Sequence, residues 1–503
     1  MSATKTKQVL PGTSLTWSVS AEGFETQTGS IAALNEDTTL PVYLLGKKEE
    51  IVSTAINENT SWYIDLNGDL YGCGWNNYGQ QGNGTTTNVT TFTKRASNVK
   101  SVYSDNSTTW YITNDGDLYG CGNNSAGNQG SGDTTNVTTF TKRASNVKYV
   151  CSYGSTTWYI TNDDDLYGCG MNGFGQQGSG DTTKVTIFTK RASNVKSIQT
   201  TGRSTWYITN SGDLYGCGIN DCGQQGSGNT TKVTTFTKRA SNVSKGSFDA
   251  FASWYITNGG DLYGCGEGTV GQQGSGKTDN VTTFTKRASN VSKVQAAGNT
   301  CCYITNSGDL YCCGSNYYGQ QGAGSETISY KTFTNRANNV KDMFAYNNAV
   351  WYITNDGDLY GCGWNNYGQQ GNGTTTNVTT FTKRASNVES IECAGTVTWY
   401  IIKSEGLYGC GVNNCGQQGS GDTTDVTVFT KRITNFVNTA NLTIIPTPTD
   451  AIVTIDSNIT STADIRKGIP VTWLVSKAGY VSQTGTIDHI YDDTILTITL
   501  EAE

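Results

Sequence analysis

Histidine is nearly missing from this chain: of 503 residues one is histidine, at position 489, and only five are proline. A lone imidazole excludes a histidine-based catalytic triad in the body of the chain. It also denies zinc its usual nitrogen ligands, and no Cys-x-x-Cys pair offers sulfur in their place. Cationic excess is lacking too. The net charge is −7 and the isoelectric point about 5.0, which argues against a nucleic-acid surface and chromatin binding. No apolar run approaches the roughly 18–20 residues of a membrane span, so no membrane insertion is expected. The start, "MSATKTKQVLPGTSLTW", has no apolar signal-peptide core, so the chain is expected to be made in the cytosol and not exported by the usual route. No segment of helical period runs beyond a turn or two.

What remains is a chain rich in glycine (61 residues), threonine, asparagine and serine, with 11% aromatic residues. That mixture favours short strands joined by tight turns and disfavours helices, so the protein is expected to be all-β. Landmark aromatics reveal a repeat. Trp62, Trp110, Trp158, Trp206 and Trp254 stand 48 residues apart; Cys302 takes the next place, then Trp351 and Trp399. A fixed period of 40–50 residues marks a repeat architecture. Within a unit, "TWYIT" and "DLYGCG" read as strands split by an "NDG" or "NSG" turn suited to a hairpin. A glycine-rich loop follows, then "VTTFTKRA", then a variable run. Four short strands per unit make a four-stranded blade, and closing such blades into a ring hides sheet edges.

Fifteen cysteines invite a functional reading, but an odd count without a signal peptide argues against a disulfide framework. Eight of them (Cys73, Cys121, Cys169, Cys217, Cys265, Cys313, Cys362 and Cys410) hold one position of the repeat and read as small buried apolar side chains. Cys301–Cys302 and Cys312–Cys313 are adjacent pairs in one unit. They could meet across a hairpin, although doubled core residues is the preferred reading. The Asp-bearing turns (Asp115, Asp117) resemble pieces of calcium loops but lack a distal glutamate, and hairpin chemistry accounts for them. No catalytic residue, metal site or cofactor is implied.

The run "DGDLYGCGNNSAGNQGSGD" resembles the repeat of the regulator of chromosome condensation family, with matching glycines at Gly120, Gly122, Gly127, Gly130 and Gly132. The resemblance recurs in eight units over residues 49–438 and implies a β-propeller. The family usually has seven blades; eight complete hairpins favour eight here, with seven as the alternative. This sequence departs from the family where "WG" has become "CG" and "GQLG" has become "GQQG". The namesake's nucleotide exchange uses a blade insertion for which 48-residue units leave no room, so an exchange-factor role is the least favoured reading.

The two ends match each other at an offset of 456, pairing Trp17 with Trp473, Gly29 with Gly485 and Leu44 with Leu500. Upstream of the second copy, "LTIIPTPTDAIVTID" resembles the opening strands of a PEGA-type or Ig-like small sandwich. The expected domains are thus 1–45, a partial sandwich; 46–438, the propeller; and 439–503, a complete sandwich. The first copy has no counterpart of those opening strands, and an unpaired edge there would invite a strand from a neighbouring subunit or another protein.

Two patterns stand out as candidate binding features. Residues 68–99 and 357–388 are identical over 32 positions, so most of a unit is scaffold. Differences gather in the run before the tryptophan and in the few residues after "CG". The second place carries Trp75, Tyr78, Phe174, Tyr317, Tyr318, Trp364 and Tyr367, and loops on a rigid scaffold commonly carry recognition. A recurrent "KR" forms a candidate basic ring: Lys94, Arg95, Lys142, Arg143, Lys190, Arg191, Lys238, Arg239, Lys286, Arg287, Arg336, Lys383, Arg384, Lys431 and Arg432. It could grip a polyanion, but with acidic turns equally repeated a solvated ring of paired charges is preferred. The whole reads as a non-enzymatic binding protein of a virus particle, a bacteriophage decoration, fibre or host-attachment protein. Terminal modules would dock to other virion proteins or subunits, and the propeller would face a cell-surface glycan or protein. An intracellular, cytoplasmic scaffold for a protein partner is the alternative.

Overall fold

A computed structural model describes residues 13–19, 27–34, 51–434 apart from 327–328, 347 and 403–404, and 439–502 apart from 456–457, 467–470 and 488–493. His489 falls outside the described residues. The chain divides into two compact units, 51–435 and a terminal unit drawn from 1–50 and 436–503.

The larger unit is a ring of eight four-stranded antiparallel blades, each made of four consecutive strands. Blades 1 to 8 span 51–96, 99–144, 147–192, 195–240, 243–288, 291–337, 340–385 and 390–434. Blade 2 illustrates the plan. Its strands are Val99–Ser104 (inner), Thr108–Thr113 (second), Leu118–Gly122 (third) and Val137–Ala144 (outer). Inner strands of neighbouring blades touch around the axis. The second strand is buried almost throughout because blades cover both its faces, whereas the outer strand is largely solvated. The repeated tryptophans fill the space between blades. Trp110 pairs across the hairpin with Gly120 and lies flat over it, so a Cβ on Gly120 would come within 2.3 Å of the indole. Its edge meets Phe188 of the next blade, centroids 6.0 Å apart. Turns from outer to inner strands place Asn98, Asn146, Asn194 and their equivalents at φ near 60°, a left-handed conformation asparagine tolerates.

Closure at blade 8 decides the blade count. Between successive blades, the glycine-rich loop bridges to the next outer strand, as at Asn83↔Thr139 and Ser131↔Ile187; the last bridge is Ser420↔Thr91, from blade 8 to blade 1. Each repeated cysteine thiol also donates to a loop carbonyl of the preceding blade. Cys121 reaches Gln80 O at 3.3 Å, and Cys73 closes the circle on Gln417 O at 3.6 Å. The same junction occurs eight times, so the ring has eight blades and not seven. The repeated cysteines are buried as expected, but they are donors between blades and not merely apolar filler.

One expectation is corrected. Blade 6 holds a disulfide between Cys302 and Cys312, which sit opposite each other on the second and third strands. They occupy the places of the tryptophan and the glycine of other blades. The adjacent pairs are therefore not doubled core residues: Cys301 and Cys313 are the free, buried members.

In the terminal unit, Thr439–Thr447 pairs with Thr462–Arg466 and, in parallel, with Thr494–Thr499. A second sheet joins Ile452–Ile455, Asn458–Ile459, Val471–Ser476 and Gln483–Ile487. Leu442, Ile444, Val453, Ile455, Val471 and Val475 form its buried core. Near the start, Thr13–Val19 pairs with Gln27–Leu34, setting Trp17 opposite Gly29 as Trp473 lies opposite Gly485. The offset read from the sequence is a shared strand register. Leu44 lies outside the described residues.

Candidate binding face

In an antiparallel blade, the turn after the inner strand and the loop after the third strand emerge at the same end. Hydrogen bonds tie them together: Trp75 N donates to Asn59 O, Asn123 N to Ser107 O and Trp364 N to Asn348 O, each at 2.9 Å. The two variable segments of the repeat, remote in sequence, are therefore one continuous face.

Within the glycine-rich loop, conserved geometry and variable surface separate cleanly. In blade 1, Asn76 is fully buried; its Nδ2 donates to Asn83 Oδ1 and the Thr85 and Thr87 carbonyls, and its Oδ1 accepts from Gln81 N. Gln81 Nε2 donates to Cys73 O at 2.8 Å. Gln80 accepts from Tyr78 N and reaches across to Asn106 O of blade 2. These residues build the loop. The side chains at the first, third and fourth positions after "CG" make no bond that every blade repeats, and these positions vary. In "NNSA" of blade 2, Asn124 thus belongs to the scaffold, and Asn123, Ser125 and Ala126 form the variable surface.

The aromatic candidates occupy those free positions. Trp75 and Tyr78 meet edge to face at 5.2 Å, and Trp364 and Tyr367 do the same at 5.5 Å. Tyr318 of blade 6 leans on Trp364 of blade 7 at 6.0 Å. Tyr317 is 53% exposed and Tyr367 40%. Phe174, in blade 3, stands apart beneath the Arg203 guanidinium, 5.4 Å from its ring centre. Near the axis, Tyr153 and Tyr346 come from blades 3 and 7, which face each other across the ring, and their phenols interact. Burial raises the Tyr346 phenol, and Tyr153 and Glu58 add to the effect. Neither tyrosine was singled out from the sequence, since only ring closure brings them together.

The lysines of the candidate basic ring pair at the other end of the blades. Lys94, Lys142, Lys190, Lys238, Lys286 and Lys383 each pair with the aspartate of the turn after the second strand, at 2.5–2.8 Å, and Lys431 pairs with Glu405 at 3.6 Å. Hydrogen bonds from Lys142 and Ser145 hold the Asp117 carboxyl below its ordinary range. The arginines, Arg95, Arg143, Arg191, Arg239, Arg287, Arg384 and Arg432, are half-buried, and burial lowers their affinity for protons. Arg336 lies over the Tyr330 ring at 4.2 Å. The structure thus places these lysines in ion pairs.

Residues 291–320 match the regulator of chromosome condensation repeat family. In three dimensions the chain is similar to Prp20p of Saccharomyces cerevisiae, with a TM-score of 0.52 at 14% identity over 70% of this chain and 91% of that one. It is also similar to human WBSCR16, with a TM-score of 0.50 at 18% identity over 68% of this chain and 99% of that one. The propeller is thus similar to that repeat in sequence over residues 291–320 and to these propellers in fold. The departures of these repeats have a structural reason, because cysteine in "CG" supplies the thiol that bonds the preceding blade. The second glutamine of "GQQG" returns its amide to the carbonyl of that same cysteine. Outside the propeller, residues 439–499 match the head fiber dimeric protein-like domain. A head fiber dimeric protein of Bacteroides phage crAss001 is 48% identical over 60 residues, 12% of this chain. The chain spans about half of that relative's length, 48%.

Proposed function

We propose that this chain is a structural component of a bacteriophage particle, a head fibre or related appendage, and that it acts by binding and not by catalysis. The match of residues 439–499 to the head fiber dimeric protein-like domain carries the reading. In this reading the terminal unit docks to the particle or to a second copy, the partner to test first given the family's description as dimeric. The propeller is the outward module, and its variable face meets the cell surface. A rigid ring with all recognition positions gathered at one end suits that task.

Mass spectrometry of gradient-purified particles, with light scattering of the isolated chain, tests this. The chain should co-purify with the particle at stoichiometric abundance and behave as an oligomer. Its absence from particles, together with a soluble complex in the host, would replace the reading with that of an intracellular scaffold.

A further inference from the structure

Of the seven aromatic candidates on the variable face, six gather on one side of the ring, and Phe174 of blade 3 stands apart. Tyr317 and Tyr318 are in blade 6, Trp364 and Tyr367 in blade 7, and Trp75 and Tyr78 in blade 1, so all six fall on the arc 6–7–8–1. Between blades 7 and 1, blade 8 offers Asn414 at the exposed third position, matching the exposed Asn366 and Asn77 of its neighbours. The arc therefore alternates half-exposed rings with side-chain amides.

Charge divides the face in the same way. The loops 75–88, 315–328, 364–377 and 412–425 of this arc contain no lysine or arginine. The cations of the face, Lys184, Arg203, Lys232 and Lys277, belong to blades 3 to 5. So do Asp221 and Glu267 at the variable positions.

We infer that the arc of blades 6–7–8–1 binds an uncharged polysaccharide, with Trp364–Tyr367 and Trp75–Tyr78 as two equivalent subsites. The inference rests on the reading that the propeller meets the cell surface and names the ligand class. Aromatic faces supply flat apolar area for the C–H faces of sugar rings, and they order few side-chain torsions on binding. The neighbouring amides can donate to and accept from hydroxyl groups. Loops that carry no lysine or arginine, and that hold Glu326, Asp422 and Asp425, do not select an anionic ligand. The two subsites are the same loop twice: both lie in the identical stretches 68–99 and 357–388, and their ring pairs adopt the same edge-to-face geometry. Two identical subsites two blades apart, with blade 8 between them, suit a ligand that itself repeats, which a folded protein surface does not.

The test uses the full chain against immobilised dextran and mannan and a glycan array, with heparin as competitor. Trp75→Ala and Trp364→Ala should each weaken polymer binding about tenfold, and the double variant should abolish it, because linked subsites multiply affinity. For a short oligosaccharide that fills one subsite, calorimetry should show the stoichiometry falling from two to one in either single variant, with affinity unchanged. Lys94→Ala, at the opposite end of the blade, should bind as wild type. Melting curves that match wild type establish that the tryptophan variants are folded. Binding to no neutral glycan, binding retained by the double variant, or displacement by heparin would each overturn the inference. So would cell binding that survives periodate treatment of the surface but not protease. None of these outcomes bears on presence in the particle, which mass spectrometry decides separately.

Discussion

A buried carboxylate near the variable face gives the clearest single-residue test of the structure. Asp249 Oδ1 accepts from Phe251 N and Ala252 N, both at 2.7 Å. Burial pushes its carboxyl up to about 6 from an ordinary 3.8, and the Glu267 charge adds to this, against backbone hydrogen bonds from Phe251, Ala252 and Gly298, which lower it. Because the folded state then holds the proton more tightly than the unfolded one, stability from this group is fullest below about pH 4 and is lost as pH rises through about 6. Asparagine keeps an acceptor and carries no charge. The melting temperature of Asp249→Asn relative to wild type should therefore climb between about pH 4 and 6 and level off above that. A flat difference across this range in calorimetric melts would refute the assignment. The repeated cysteines are legible in the sequence as buried. Their role as donors was not legible, because the accepting carbonyl, such as Gln80 O for Cys121, is 41 residues away and belongs to another blade.

At the scale of the hairpin, the tryptophan and the glycine opposite it are one unit of packing. Gly120→Ala should cost about 1–3 kcal/mol in chemical denaturation, since a Cβ there would meet the Trp110 ring in a core with no slack. Blade 6 shows the other solution, with both partners changed to cysteine and joined. A double-mutant cycle should expose that coupling. Cys302→Trp alone should destabilise by about 1–3 kcal/mol through overpacking, and adding Cys312→Gly, which restores the pairing of the other blades, should recover most of it. Additive effects would show that the two positions are independent. The sequence displayed both pairs of adjacent cysteines, but strand register selects which two face each other.

For the ring as a whole, closure is the weak point, because no strand is exchanged between the first and last blades. Besides the Ser420↔Thr91 bridge that every junction repeats, side chains hold that seam. Glu392, on the inner strand of blade 8, accepts from Thr54 Oγ1 at 2.6 Å and Ile56 N at 2.9 Å of blade 1. Burial raises its carboxyl while these two bonds lower it. Gln199 and Gln295 hold the same register position and donate to Phe248 O and Ala345 O of their next blades. Glu392→Ala leaves the partly buried Ile56 N–H without its carboxylate acceptor and should cost about 1–3 kcal/mol. Hydrogen exchange should then speed up first in residues 51–65 and 390–402, where blades 1 and 8 meet, because repeat stability is a sum of nearest-neighbour interfaces. Uniform acceleration around the ring would argue against a local seam.

The sequence alone determined whatever depends on near neighbours along the chain. The 48-residue period, the hairpin turns, the tryptophan landmarks and the common register of the two terminal ribbons follow from strand patterning and turn chemistry, which act over a few residues. Tertiary structure decided what depends on adjacency between blades. Eightfold closure, thiol donors at the junctions, the cross-strand disulfide and the meeting of Tyr153 with Tyr346 needed the ring. The candidate aromatic residues could be read singly from their loops. Their gathering on one arc whose loops lack lysine and arginine could not, because the arc exists only once blade 8 has returned to blade 1.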